Sequence, residues 1–350
     1  MQQNAIQNSG WTMPAEWVTH AATWMVWPHN KTLWESGWRV TLAQVQEDFA
    51  RVAKAIARFE PVKLVVDPSA VASAKAWCGP NIELIELAVN DSWCRDSGPS
   101  FVCHPQQGLA GVSWRFNAWG GKSAHDLDES LARRALNHLG LECFGTALSN
   151  EGGAIHVDGE GTLITTESVL LNPNRNPGVT KAEIEEIFTR LLGVKKIIWL
   201  PGDPDYVTGD MTDGHVDGVC AFARPGVLLV DATHDQQSVY AEVARENRRA
   251  LELATDAQGR KFELIELYEA SDAVDTEAEV FCASYTNFYI ANGAIIMPAY
   301  GIDADKVAAE VLAQAFPGRE VVPVRINHLA HGGGGVHCIT QQQPAWSVRS

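Results

Sequence analysis

Short apolar runs of strand type alternate with amphipathic helical stretches along the whole of this 350-residue chain. The strand-type runs are 62–67, 100–103, 162–166, 196–200, 226–231 and 294–298. The helical stretches are 42–58, 127–139, 180–192, 237–255 and 303–315, the last opened by Asp303 or Asp305 as N-cap. No Pro/Ser-rich linker or low-complexity tract divides the series, so residues 1–350 are expected to form a single α/β domain. A weak repeat narrows the choice. H-V-D-G occurs at 156–159 and again at 215–218, and the residues best suited to chemistry fall at 96, 151, 215 and 338. That spacing fits five units of roughly 60–70 residues, each sending one loop or strand end to a common centre, as radially repeated folds do.

Charge and cysteine usage exclude several classes. The formal net charge is −16, which argues against nucleic acid or an anionic membrane surface as partner and suits a cationic substrate. The seven cysteines, at 78, 94, 103, 143, 220, 282 and 338, show no CxxC spacing, which predicts reduced thiols in a cytoplasm. The first residues lack a basic region followed by an apolar one, so no signal peptide is expected, and no apolar run is long enough to span a membrane.

Four segments carry candidate chemistry. H-G-G-G-G-V-H-C (331–338) delivers Cys338 after four glycines, which would let the backbone approach a ligand closely. The neighbouring His and nearby amides would favour its thiolate; the bland alternative is a flexible loop before a structural Cys. N-D-S-W-C-R-D-S-G-P (90–99) offers Asp96, otherwise a turn residue, and Trp93 as an apolar wall, otherwise core. S-N-E-G-G-A-I-H-V-D-G (149–159) offers Glu151 ahead of two glycines, with His156 and Asp158 read as a structural pair. T-G-D-M-T-D-G-H-V-D-G (208–218) offers His215 and Asp217, two apart, so that in a strand both reach the same side; a solvated acidic loop is the alternative. No H-x-H, H-E-x-x-H or C-x-x-C completes a metal site, so neither metal nor other cofactor is expected.

One Cys, one His and several carboxylates suit cleavage of a guanidinium C–N bond. A guanidinium is planar, permanently charged and rich in N–H donors, so paired carboxylates can grip it. Its carbon is a poor electrophile and needs a thiolate held in line, while the leaving ammonia needs a proton from an imidazolium.

The chain resembles the agmatine deiminases. The resemblance is carried by M-P-A-E-W…W-P-H-N (13–30), N-D-S-W-C-R-D-S-G-P (90–99), F-N-A-W-G-G-K (116–122), N-E-G-G-A-I-H-V-D-G-E-G-T-L-I-T-T-E (150–167), L-L-N-P-N-R-N-P (170–177), G-D-M-T-D-G-H-V-D-G (209–218) and H-C-I-T-Q-Q-Q-P (337–344). It implies the five-bladed, pseudo-symmetric α/β-propeller of the pentein superfamily. It also implies hydrolysis of agmatine to N-carbamoylputrescine and ammonia through a covalent amidino-cysteine. On this resemblance Cys338 is the nucleophile, His215 the general acid/base, Glu151 its supporting carboxylate, and Asp96 and Asp217 the guanidinium-binding pair. Ser123 and Gly218 stand where the family has larger side chains, which would widen the pocket or alter its wall. Rival readings are a deiminase of arginine or another alkylguanidine, an amidinotransferase, and a non-catalytic guanidine-binding protein. The expected partners are a small cationic guanidine and further copies of the same chain.

Overall fold

The structure is a computed structural model that describes residues 10–204, 207–274, 278 and 280–346. Strands β1 (His20–Val26), β2 (Val62–Val66) and β3 (Glu83–Glu86) start the first of five small sheets. β4 (Ser100–His104), β5 (Gly108–Arg115) and β6 (Glu142–Ser149) make the second, and β7 (Ile155–Val157), β8 (Thr162–Thr166) and β9 (Lys196–Leu200) the third. The fourth holds β10 (Cys220–Arg224), β11 (Val227–Ala232) and β12 (Glu263–Tyr268), and the fifth β13 (Tyr289–Ala291), β14 (Ala294–Ala299) and β15 (Glu320–Arg325). In each of the last four, the first two strands form an antiparallel hairpin and the third lies parallel to the second. A parallel pairing needs a crossover, and a helix supplies it each time. The first sheet follows the same plan across the chain ends: β16 (Thr340–Pro344) runs antiparallel to β1, which is parallel to β2. The chain is thus a five-bladed α/β-propeller closed by its own termini.

Local sequence explains the crossover helices. Leu42–Ile56 buries Val45, Phe49, Val52, Ala53 and Ile56 along one stripe. Thr41 and Gln44 form a capping box at its start, and Thr180 and Glu183 do the same for Lys181–Leu192. All six expected strands are present within a residue of their bounds, and each expected helical stretch contains a shorter helix: 42–56, 131–138, 181–192, 239–253 and 304–315.

Three expectations need correction. Asp303 occupies the N-cap of Ala304–Ala315 but makes no capping bond, and Asp305 instead accepts from the amides of Tyr300, Gly301 and Ile302, bracing the preceding turn. His215 and Asp217 are not on a strand: His215 is the N-cap of a single 3-10 turn, Val216–Gly218, just before β10, and Asp217 lies inside that turn. The two H-V-D-G copies are not equivalent: His156 lies inside β7, whereas 215–218 precedes its sheet. The real equivalence is positional. Asp96 precedes β4, Glu151 precedes β7, His215 and Asp217 precede β10, Asn287 precedes β13 and Cys338 precedes β16.

Candidate active site

Because every blade offers the segment before its first strand to the axis, the five expected residues meet there. Asp96 (5% exposed), Glu151 (0%), His215 (3%) and Asp217 (4%) are buried, and Cys338 is half-buried. Gly153 marks the meeting point. A Cβ on it would lie 2.6 Å from His215 Nδ1 and 2.9 Å from both Asp217 Oδ2 and Asp96 Oδ1. Asp96 does not close its own turn: Oδ1 accepts from the Gly153 amide at 3.0 Å and Oδ2 from the Trp119 indole at 2.8 Å. Glu151 Oε2 contacts His215 Nε2 at 3.2 Å, while Oε1 accepts from Arg175 Nε at 2.9 Å. Asp217 Oδ2 lies 3.7 Å from Cys338 Sγ.

The electrostatics divide these groups by protonation. Burial works against the His215 cation, but Asp96, Glu151 and Asp217 outweigh it and raise the imidazole to about 9. His215 is therefore an imidazolium at neutral pH. For Asp217, burial is outweighed by His337, His215 and Arg95, so its carboxyl titrates below the usual range. Burial raises the Asp96 carboxyl; His215 opposes the shift and Asp217 adds to it. Burial, reinforced by Asp217 and Asp96, holds the Cys338 thiol well above its ordinary value. These surroundings favour the thiol over the expected thiolate, and the neighbouring His expected to help points elsewhere. His337 turns Nδ1 to Asp217 (2.8 Å) and Nε2 to Glu16 (2.9 Å). What touches the sulfur is Asn287, whose Nδ2 donates to Sγ at 3.2 Å while its Oδ1 accepts the Cys338 amide at 3.2 Å.

The glycine run has a different purpose from the one its composition suggests. A Cβ on Gly332 or Gly334 would collide with the Trp93 ring, and one on Gly335 with Asn287. At these three positions the small residues let the backbone lie on protein, and of the run only Gly333 lines the cavity. Trp93 packs behind that run in an aromatic cluster with Trp34 and Trp38, and it does not line the cavity that opens at Cys338. Of the two positions where the chain departs from its resemblance, Gly218 lines this cavity and Ser123 does not.

Several residues left unassigned by the sequence hold the site. Arg175 links Glu151 to Asp213. Lys122 bonds Asp213 at 2.6 Å, and Trp119 orients Asp96, which accounts for F-N-A-W-G-G-K and L-L-N-P-N-R-N-P. Trp119 (φ 56°) and Asp213 (φ 67°) both adopt the left-handed backbone conformation, strain of the kind that gathers at functional sites. Glu16, from M-P-A-E-W, receives His337 and the Arg95 guanidinium, the latter at 3.3 Å. Glu16, His156 and His337 place ligand-type atoms within 4.8 Å of one another. The grouping suits a metal poorly, because Arg95 already neutralises Glu16 and both nitrogens of His337 face carboxylates.

The family follows from comparison. The profile of the Porphyromonas-type peptidyl-arginine deiminases matches residues 12–344. An agmatine deiminase of Stutzerimonas stutzeri is 41% identical over 367 aligned positions, covering 98% of each chain. The chain belongs to the agmatine deiminase family. A plant family member, the agmatine deiminase of Medicago truncatula, is 39% identical, covering 96% of this chain and 97% of its own. The solved agmatine deiminase of Enterococcus faecalis superposes with a TM-score of 0.90 at 35% identity, covering 96% of both chains.

Proposed function

We propose that this chain hydrolyses agmatine to N-carbamoylputrescine and ammonia, with its five blades acting as one catalytic unit. The observation that carries the reading is an acid-lined cavity of about 550 Å³ that ends on Cys338, His215 and Asp217. Its lining includes Asp203, Asp210, Asp231, Asp235 and Glu269, and its one Lys or Arg among the described residues, Arg248, is paired with Glu252 and Glu266. Arg95, Arg175 and Arg224 are engaged by Glu16, Glu151 with Asp213, and Glu263 respectively, and none of them lines the cavity. A substrate carboxylate, as on arginine, finds no free partner there; a dication fits.

Asp96 and Asp217 hold the guanidinium nitrogens, and the incoming cation offsets the two charges that keep Cys338 protonated. The thiol proton then leaves to solvent and the sulfur attacks the guanidinium carbon. His215, already an imidazolium, protonates the departing nitrogen, so ammonia leaves and a thiouronium remains. The neutral imidazole next takes a proton from water, whose oxygen adds to that carbon. Collapse releases the ureido product and frees the Cys338 sulfur. Glu151 steadies His215 through the bond at 3.2 Å. Among the described residues no helix is long and apolar enough to cross a membrane, and the seven cysteines are unpaired, which supports the cytoplasm as the working compartment.

The test is a panel of agmatine, arginine and simple alkylguanidines, reading ureido product and ammonia, with intact-mass analysis of quenched enzyme. Agmatine should be preferred, with an amidino adduct on Cys338. Preference for arginine, transfer of the amidino group to an added amine, or an adduct on another cysteine would overturn the proposal.

A further inference from the structure

The cavity runs on beyond Cys338 to a carboxylate that the proposed chemistry does not use. Asp231 sits near the end of β11, its amide bonded to the Val219 carbonyl at 2.9 Å, so it lies directly across from the segment bearing His215 and Asp217. Between them, Gly218 lines the cavity and has no atom within 4 Å of where a Cβ would stand. The floor from Asp217 to Asp231 is therefore open.

Asp231 differs from its acidic neighbours in what it lacks. Asp203 is occupied on both oxygens by the amides of Val207 and Thr208, and Asp210 by Thr212 and Gly214, while Asp235 accepts the Gln237 amide on one oxygen and is exposed to solvent, where Asp231 is half-buried. The Thr233 hydroxyl bonds Glu269. On Asp231 only Oδ1 is engaged, by Ser284 Oγ at 2.6 Å and more weakly by Thr286 Oγ1 at 3.5 Å. Among the described residues, Oδ2 has no partner and no cation faces the group. Burial, opposed by the Ser284 bond and reinforced by Glu269, raises the carboxyl to about 8, as expected of an acid short of a counter-ion.

One segment borders both groups. Ser284 touches Asp231, and Asn287, three residues later, touches Cys338 Sγ. Both groups line the same cavity. An agmatine chain of six bonds between guanidinium carbon and terminal nitrogen reaches about 7 Å, and a hydrogen bond of about 3 Å at the ammonium lengthens that reach.

We infer that Asp231 is the specificity-determining residue that receives the distal ammonium of the substrate, with Gly218 leaving room for the connecting chain. This rests on the proposed agmatine deiminase activity and names the residue that makes it select a diamine-derived guanidine. The ammonium supplies the charge that Asp231 lacks.

The experiment compares kcat/KM for agmatine and for butylguanidine, which has the same length without the amine, in the wild type and in Asp231→Asn. The wild type should favour agmatine, and the variant should lose about 10- to 100-fold of that preference, the range set by one charge-assisted bond. The loss should appear chiefly in KM, since the ammonium is distant from the reacting carbon. Asp231→Glu keeps the charge but advances it by one methylene, so the preferred tail should shorten from four carbons to three. An unchanged agmatine/butylguanidine ratio in Asp231→Asn, or equal losses on both substrates, would overturn the assignment while leaving the deiminase reading intact. A wild type that forms ureido product from no guanidine would instead bring down the activity, and this inference with it.

Discussion

Gly153 offers the sharpest test of how the site is assembled. Its backbone is not in the left-handed region, so alanine meets no conformational penalty there. The added methyl, however, would stand 2.6 Å from His215 Nδ1 and 2.9 Å from Asp217 Oδ2 and Asp96 Oδ1, where ordinary contact begins near 3.4 Å. The neighbours must therefore give way by about 0.8, 0.5 and 0.5 Å, or the Gly153 turn must retreat. Retreat is resisted by the Gly153 amide, which is bonded to Asp96 at 3.0 Å. Overpacking of this kind costs about 1–3 kcal/mol of stability. Misplacing reacting groups by about 1 Å costs on the order of 100-fold in rate, and here the burden falls on three groups together. Gly153→Ala should remain folded with a modestly lowered Tm and lose about two decades or more in kcat/KM for agmatine. Steady-state ureido formation, normalised by Cys338 titration, separates the two effects. A folded Gly153→Ala with wild-type kcat/KM per titrated thiol would refute the convergence of Asp96, Asp217 and His215 on that point.

Three further outcomes follow from the same electrostatics. Activity should fall above about pH 9, as His215 loses its proton; Glu151→Gln removes a charge that raises it, so the alkaline limb of the kcat/KM profile should move to lower pH. A limb that stays in place would reassign the group. Cys338, a half-buried thiol facing Asp217, should react slowly with neutral iodoacetamide and much faster with a cationic haloacetamidine. In Asp217→Asn that preference should shrink sharply, and turnover should fall by roughly two to four decades, as expected when a buried charge loses a partner worth about 3–5 kcal/mol; mass analysis of labelling rates checks it. Far from the site, Glu60 accepts from His20 (3.0 Å), Tyr289 (3.1 Å), the Asn292 amide (2.6 Å) and Thr23, tying β1 to β13. Glu60→Ala should lower stability by about 3–5 kcal/mol, seen as a lower Tm, with normal kcat/KM in the folded fraction.

What could be read in advance depended on how local each signal was. β8 and β9, T-L-I-T-T and K-I-I-W-L, declare themselves by composition, and the crossover helices by periodicity. β16 does not: T-Q-Q-Q-P has no apolar pattern, yet it is largely buried, with Gln341 donating to the Pro99 carbonyl at 2.7 Å. A strand that owes its burial to polar partners elsewhere in the ring carries no apolar signature of its own. The same holds at the axis. Asp96, Glu151, His215, Asp217 and Cys338 were legible because motif and spacing coincide with the start of a blade. Asn287 and Arg175 were not, since their importance lies in contacts of 3.2 Å and 2.9 Å with residues 51 and 24 positions away.

The misread glycine run and the misread His337 share one cause, and it bears on the chemistry. Sequence adjacency suggested that His337 and the glycines serve the thiol directly. Adjacent side chains in this turn diverge, however: His337 faces Asp217 and Glu16, while Cys338 faces Asn287 and the cavity. His337 thereby helps hold the Asp217 carboxyl below its usual range, and burial together with the Asp217 charge holds the thiol above its own. The charge that raises the thiol is thus the charge proposed to grip the guanidinium. On the proposed mechanism, a ligand carrying its own positive charge offsets Asp217 and favours release of the thiol's proton, which ties nucleophile activation to recognition of a guanidinium.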